Sequence, residues 1–356
     1  MKAVVRPLEG TYSERGLLKL RIRVRPQDAK AYDTDWQSSL WRWLESHPLA
    51  DEMHRWVVDA EGEIVGHLGA LPQYYRINGQ RVVAHTPSDY MVLPEYGFHA
   101  ITLMRRFFRA CENCVACDAV PAAISVETRL GAEEAGRLQY VAKLQNVAAL
   151  PAFPTSIPAA VTRPVNWGLR AVDKALTATM FADHLRVESL EGFDETFDEL
   201  FESVAAAVAC VPEKDAAFLR WRYGPGSPQH PITVLGVKEG ETLLGYAVLK
   251  LTAGGETGYV LDLTTRSGRR DVARTLLRGA VHHFRQLWVY SVRFRLVQSP
   301  NSLRSSDLWR LGFLPRSKRS SSLLVKFTDS ALHEIAKDIA RWSYSYGDGE
   351  GSFWIT

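Results

Sequence analysis

The chain states one plan twice, and that recurrence limits the folds open to it. Leu40-Trp41-Arg42-Trp43, followed by His47-Pro48, returns as Leu219-Arg220-Trp221-Arg222-Tyr223, followed by His230-Pro231. After each comes a pair of apolar runs around a polar turn. In the first copy these are 56–58, 59–62 and 64–71; in the second they are 232–237, 238–241 and 243–251. Gly240 and Gly245 stand as Gly62 and Gly66 do. A recurrence of this size predicts two copies of one supersecondary unit.

Within the first copy, Asn78-Gly79 is a strong hairpin signal, because both residues tolerate the positive φ of a tight turn. Residues 81–93 follow as a third strand, and Pro94-Glu95-Tyr96-Gly97-Phe98-His99-Ala100 breaks it. Ile101, Met104, Phe108 and Cys111 then recur at helical spacing, with Arg105, Arg106 and Arg109 off that stripe. A helix entered through a short loop offers unpaired N–H groups and a positive dipole end to a pyrophosphate. The second copy has a strand at 259–263, a loop at 264–271, and a helix face at Val272, Leu276, Ala280 and Phe284. A strand at 288–297, a helix at 301–310 and a hairpin at 312–326 complete it.

The remaining pattern predicts a half-buried strand at 17–24, where Leu18, Leu20, Ile22 and Val24 alternate with Lys19, Arg21 and Arg23. It predicts a tryptophan-rich helix within 28–48, strands at 120–127 and 140–150, and a short helix at 131–138. Pro151, Pro154, Pro158 and Pro164 mark a linker, with a connecting helix at 167–182. The implied organisation is an N-terminal domain at 1–150, linker and connecting helix at 151–183, a C-terminal domain at 184–328 and a tail at 329–356.

At 356 residues the chain can bury two cores. A net charge of +3 is too small to argue for nucleic acid. No apolar run reaches the roughly 18 residues of a membrane span. Met1-Lys2-Ala3-Val4-Val5 lacks the apolar core of a signal peptide, and four cysteines make no disulfide framework. The expectation is a reduced, cytoplasmic protein, monomer or homodimer.

The pattern Glu63-Ile64-Val65-Gly66-His67, Ile77-Asn78-Gly79 and Asp89-Tyr90-Met91-Val92-Leu93-Pro94-Glu95-Tyr96 resembles the GNAT superfamily, the GCN5-related N-acyltransferases. Asn301 through Leu308-Trp309-Arg310-Leu311-Gly312-Phe313 is similar to the end of that fold. The resemblance implies an α/β (α+β) architecture of two GNAT-like domains, each a mixed, mostly antiparallel sheet flanked by helices. It also implies acetyl-CoA or a longer acyl-CoA as co-substrate, with its pyrophosphate on the loop after the fourth strand. The residues at those positions are Met91, Val92, Leu93, Gly97, Phe98, His99, Ala100 and Ile101. Of the family's small loop residues only Ala100 is matched; Gly97 replaces the usual arginine and Phe98 a glycine.

In that superfamily the thioester lies where the fourth and fifth strands part, a free backbone N–H there meets its carbonyl, and a tyrosine protonates the leaving thiolate. Acyl transfer to an amine needs a proton acceptor and a positioned carbonyl. The corresponding candidates are Asp89, Tyr90, Glu127 and Tyr140, with His85 nearby. In the second copy Asp262 holds the matching place, Trp309 replaces the tyrosine and cannot serve as that acid, and Arg266, Arg269 and Arg270 fill the loop. Arginines grip phosphate through side chains, so an acyl-carrier protein is the alternative donor.

Cys111, Cys114 and Cys117 have a C-x2-C-x2-C spacing but no fourth ligand, and read as buried side chains rather than a metal site. The paired tryptophan motifs read as packing between helix and sheet. The function implied is transfer of an acyl group to an amine of a small molecule or of a cell-surface or secondary-metabolite precursor, by the first half. The alternatives are a GNAT scaffold that has lost its cofactor loops and binds without catalysis, and a tandem-GNAT peptidyl transferase using aminoacyl-tRNA.

Overall fold

The computed structural model describes residues 3–8, 12–117, 119–149, 159–177, 184–297 and 302–355. Pro151, Pro154 and Pro158 of the expected linker, the end of the connecting helix beyond residue 177, and Asn301 lie outside them. In chain order the first stretch runs β1 (Ala3–Pro7), α1 (Tyr12–Val24), α2 (Thr34–Glu45), β2 (His54–Ala60), β3 (Glu63–Ile77), β4 (Gln80–Val92), α3 (Phe98–Ala110), β5 (Cys114–Ala116), α4 (Pro121–Arg129) and β6 (Glu133–Leu144). Helix α5 (Ala159–Thr177) follows. Then come β7 (Glu188–Leu190), α6 (Glu195–Ala205), β8 (Cys210–Pro212), α7 (Ala216–Tyr223), β9 (Thr233–Glu239), β10 (Thr242–Leu251), β11 (Thr257–Thr265), α8 (Arg270–Gln286), β12 (Ser291–Leu296), α9 (Ser305–Arg310), β13 (Leu314–Lys326) and α10 (Ser330–Ala336).

All the strands join one sheet in the order β1-β2-β3-β4-β5-β13-β6-β12-β11-β10-β9-β7, with β8 paired to β3. Its pairings are antiparallel except β4 with β5 and β11 with β12. The architecture is therefore mixed α/β with a large, mostly antiparallel sheet flanked by helices. The last strands of the two stretches are exchanged: β6 lies beside β12, and β13 lies between β5 and β6. The sheet thus runs without a break past residue 150.

Four sequence expectations are corrected. Residues 17–24 are helical: Leu17, Leu20 and Arg21 are all buried, a three-to-four spacing that lays one helix stripe on the sheet. The alternating pattern also fits that stripe, and sheet contact decides between the two. The expected strand at 120–127 is helix α4 (Pro121–Arg129), started by Pro121 at its first turn, where proline's missing N–H costs nothing. Glycine at 131 takes φ +94 and ends that helix, so 131–138 leads into strand β6 rather than forming a helix. The expected hairpin at 312–326 is instead a single strand, Leu314–Lys326, with a register shift between Pro315 and Ser320. In addition, the break after β4 is shorter than expected, because Phe98, His99 and Ala100 form the first turn of α3.

Residues 329–356 are not a loose appendage. Trp342 is fully buried, Tyr344 and Phe353 are nearly so, and this segment completes the apolar clusters at the middle of the sheet.

Candidate active site

Strand β4 breaks its register with β3: Gly69 faces Ser88 and His67 faces Met91, so Asp89 and Tyr90 form a bulge opposite Leu68. Asp89 sits at φ +50, the left-handed region that asparagine and aspartate tolerate best. The bulge turns successive groups to different surroundings. His67 Nδ1 donates to the Asp89 carbonyl oxygen at 2.9 Å, and Arg21 pairs with the Asp89 carboxylate. Burial alone would push that carboxyl up, but Arg21 and His67 outweigh it and hold Asp89 below the ordinary carboxylate range. Burial holds His67 at about 4, so its ring is neutral near pH 7.

The backbone N–H of Asp89 leaves the β3 ladder and donates to Oε1 of Glu350 at 2.6 Å, which also accepts the Ser88 hydroxyl at 3.1 Å. Desolvation pushes Glu350 up to about 7. A small cleft lies beside these groups, lined by Trp41, Leu44, Met53 and Trp354 together with His67 and Glu350. Arg21 and Arg25 lie over the Trp354 ring at 5.1 and 4.9 Å.

On its other edge β4 meets β5 at a single pair, His85 with Cys114, and the Thr86 hydroxyl then reaches the Val115 carbonyl at 2.8 Å. The β4–β5 ladder stops at that pair, while the other edge of β5 pairs with β13 over Cys114–Ala116. The fifth strand is thus 114–116, and Glu127 comes instead from α4, in the helix that caps this region. Glu127 Oε2 and the Tyr90 hydroxyl are both buried without a hydrogen-bond partner. Burial pushes Glu127 up to about 8; burial and then the Glu127 charge push the Tyr90 phenol above its usual value. Buried polar atoms normally find partners, and several of those that do not, on Arg21, His67, His85, Asp89, Tyr90 and Glu127, surround β4 or the helices on it.

Tyr140 is elsewhere. It lies on β6 opposite Arg295 of β12, shares a hydrogen bond with Ser321 at 2.9 Å and accepts one from Arg295 at 3.1 Å. Met91 and Leu93 are buried. Gly97 caps α3 without a side-chain hydrogen bond, so the first-turn N–H groups near Phe98, His99 and Ala100 keep their dipole end free of a side-chain cap. Phe98 and Ile101 are exposed beside them. The sequence reading missed Arg21, His67, Ser88 and Glu350. The Gly66-His67 pair was visible, but nothing local places residue 350 beside residue 89.

The second copy repeats the plan and closes it. Strand β11 shifts register between its pairings Val248–Asp262 and Leu249–Val260. Lys214 reaches Asp262 at 2.9 Å and Asp348 at 3.0 Å, all three buried. Where β11 and β12 part, the C-terminal segment enters: Leu296 bridges Ser345, and Gly347 donates to the Leu261 carbonyl at 2.6 Å. A small pocket remains, lined by Thr264, Thr265, Ser267, Ser302 and Ser343. Trp309 is exposed. Cys111, Cys114 and Cys117 are separately buried, and among the described residues no group of three or more metal-ligating side chains converges.

A strand bulge with an outward N–H, a parallel partner whose ladder ends before it, and a helix starting from the next loop accompany the GNAT fold, which solved structures share with this chain. A GCN5-related N-acetyltransferase from Anabaena variabilis matches 93% of this chain and 74% of its own at 14% identity, with a TM-score of 0.60. Saccharomyces cerevisiae N-myristoyltransferase with bound myristoyl-CoA and inhibitors matches 91% and 80% at 12% identity, TM-score 0.57. A probable N-acyltransferase from Enterococcus faecalis matches 93% and 74% at 10% identity, TM-score 0.58. No family profile and no curated protein sequence matches the chain.

Proposed function

We propose that the protein is an N-acyltransferase that passes an acyl group from acyl-CoA, or from an acyl-carrier protein, to the amine of a small molecule or of a cell-surface or secondary-metabolite precursor. The units are 1–150 and 184–328 with their last strands exchanged; the first carries the chemistry, the second supplies shape, and the tail closes the cleft. The observation that carries this reading is the Asp89 bulge, whose N–H points out of the β3 ladder beyond the end of the β4–β5 pairing.

In this reading the thioester carbonyl accepts the Asp89 N–H, which stabilises the oxyanion as the amine attacks. The pantetheine arm runs along Met91, Val92 and Leu93, and the pyrophosphate meets the start of α3 at Gly97, Phe98, His99, Ala100 and Ile101. The amine enters through the aromatic cleft. His67 Nε2, a buried acceptor on a neutral ring, orients it, and a carboxylate at residue 89 or 350 takes its proton. The C–N bond forms as the C–S bond breaks, and Tyr90 or protonated Glu127 supplies the thiolate's proton. Tyr140 has no part in this step, because it sits in the Arg295–Ser321 cluster.

Calorimetry with acetyl-CoA and a long-chain acyl-CoA tests it. Saturable binding, lost in Ala100→Trp, is the expected result. Absence of binding to either, and to an acyl-carrier thioester, instead supports a scaffold that binds some other ligand, a reading that the departures at Gly97 and Phe98 favour.

A further inference from the structure

Glu350 arrives at the β4 bulge from the end of the chain, and several contacts fix it there. Upstream, Asp348 is held by Lys214 at 3.0 Å and accepts the Ser345 N–H at 2.7 Å. Arg222 donates to the carbonyls of Gly347 and Gly349. Downstream, the Phe353 ring meets Trp43 edge-on at 4.9 Å, and Trp354 packs at 5.3 Å from Trp36. Between these anchors the carboxylate accepts from the Asp89 N–H and the Ser88 hydroxyl. That N–H is the donor which the acyltransferase reading assigns to the thioester carbonyl, and it can serve only one such acceptor well.

We propose that Glu350 is a specificity-determining residue for the donor: its carboxylate competes with the thioester carbonyl for the Asp89 N–H. An acyl-CoA must displace it, whereas free CoA, which has no carbonyl at that point, binds with Glu350 in place. The protein therefore gains little affinity from the acyl group until the tail's carboxylate turns away, and the group so released lies next to the incoming amine. This inference rests on the acyltransferase reading of the bulge.

Titration of acetyl-CoA and of free CoA into the wild type, Glu350→Ala and Glu350→Gln tests it. Hydrogen bonds to charged groups are among the stronger ones. Glu350→Ala should accordingly tighten acetyl-CoA by about tenfold and leave CoA unchanged. Glu350→Gln keeps the tail's shape with a neutral, weaker acceptor, and should tighten acetyl-CoA several-fold. Circular dichroism identifies a variant that has lost its fold, in which case the other decides. Equal changes for both ligands, or unchanged acetyl-CoA affinity, overturn the proposal and leave the acyl-CoA reading standing. Failure of wild type and variants to bind either ligand removes both.

Discussion

The indoles of Trp43 and Trp221 stack 4.3 Å apart with planes 8° from parallel, and each N–H donates to the other's backbone carbonyl, at 2.7 and 3.0 Å. Trp43 ends the first of the two matching motifs and Trp221 stands inside the second. Their contact is reciprocal, each side chain bonding the other's backbone. Both donors are satisfied inside an apolar cluster that also holds Leu40 and Phe353, so the pair joins the copies and supports the tail that carries Glu350.

Truncating one indole leaves a cavity and an unpaired carbonyl. Trp43→Ala and Trp221→Ala should each cost about 3–5 kcal/mol of unfolding free energy. The double variant should cost less than the sum by at least about 1 kcal/mol, since the stack is lost only once. Urea denaturation of the four proteins measures this, and strict additivity would contradict a direct coupling.

Arg21 is buried against the Asp89 carboxylate. Removing the cation strands a buried charge, which costs about 3–5 kcal/mol where it has been measured. Arg21→Met should lose stability of that order at neutral pH, and Arg21→Met with Asp89→Asn should recover part of it. If the double variant is no more stable than Arg21→Met, the pair is not what holds α1 to the bulge.

Glu127 gives a pH signature whose sign follows from linkage. Burial raises its folded value from 4.5 to about 8, so between those values the folded protein keeps a proton that the unfolded chain has lost. Stability from this group is therefore fully present below about 4.5, falls as pH rises through the window, and is lowest above about 8. The whole swing is on the order of 5 kcal/mol. Glu127→Gln should match the wild type near pH 4.5 and exceed it increasingly toward pH 9, read as the difference in melting temperature. A constant difference across that range would mean the carboxyl is hydrated and unshifted.

Lys214 pairs with Asp262 and Asp348 at once. Burial opposes its charge, but the two carboxylates outweigh burial and raise it above the ordinary lysine range. Lys214→Met would leave two buried aspartates facing each other, and the tail should detach before the sheet unfolds. Limited proteolysis should then cut within residues 337–350 at concentrations that spare the wild type, with a loss of about 3–5 kcal/mol in stability. Intact tails in the variant would show that aromatic packing alone retains the segment.

Much of the frame could be read from local pattern, for physical reasons visible in single residues. Asn78 and Gly79 take φ +50 and +81 as a hairpin of this kind requires, and β3 and β4 pair on either side of them. Helix α8 buries Val272, Leu276, Ala280 and Phe284, the stripe its spacing implies. The misreadings fall where two periods fit the same letters. Leu17, Leu20, Arg21 and Val24 satisfy a helix as well as Leu18, Leu20, Ile22 and Val24 satisfy a strand, and only the sheet beneath them selects one.

The amino-acid sequence by itself determined the duplicated strand-and-helix plan, the hairpins and the position of Asp89 and Tyr90 on the fourth strand, because these depend on neighbours a few residues apart. Tertiary structure alone decided that Glu127 faces Tyr90 from a helix, that Tyr140 joins Arg295, that β6 and β13 trade places, and that Glu350 meets the N–H of Asp89. Each of those pairs residues far apart along the chain, and what brings them together is the burial of apolar surface across one continuous sheet, a sum over many contacts that no local pattern records.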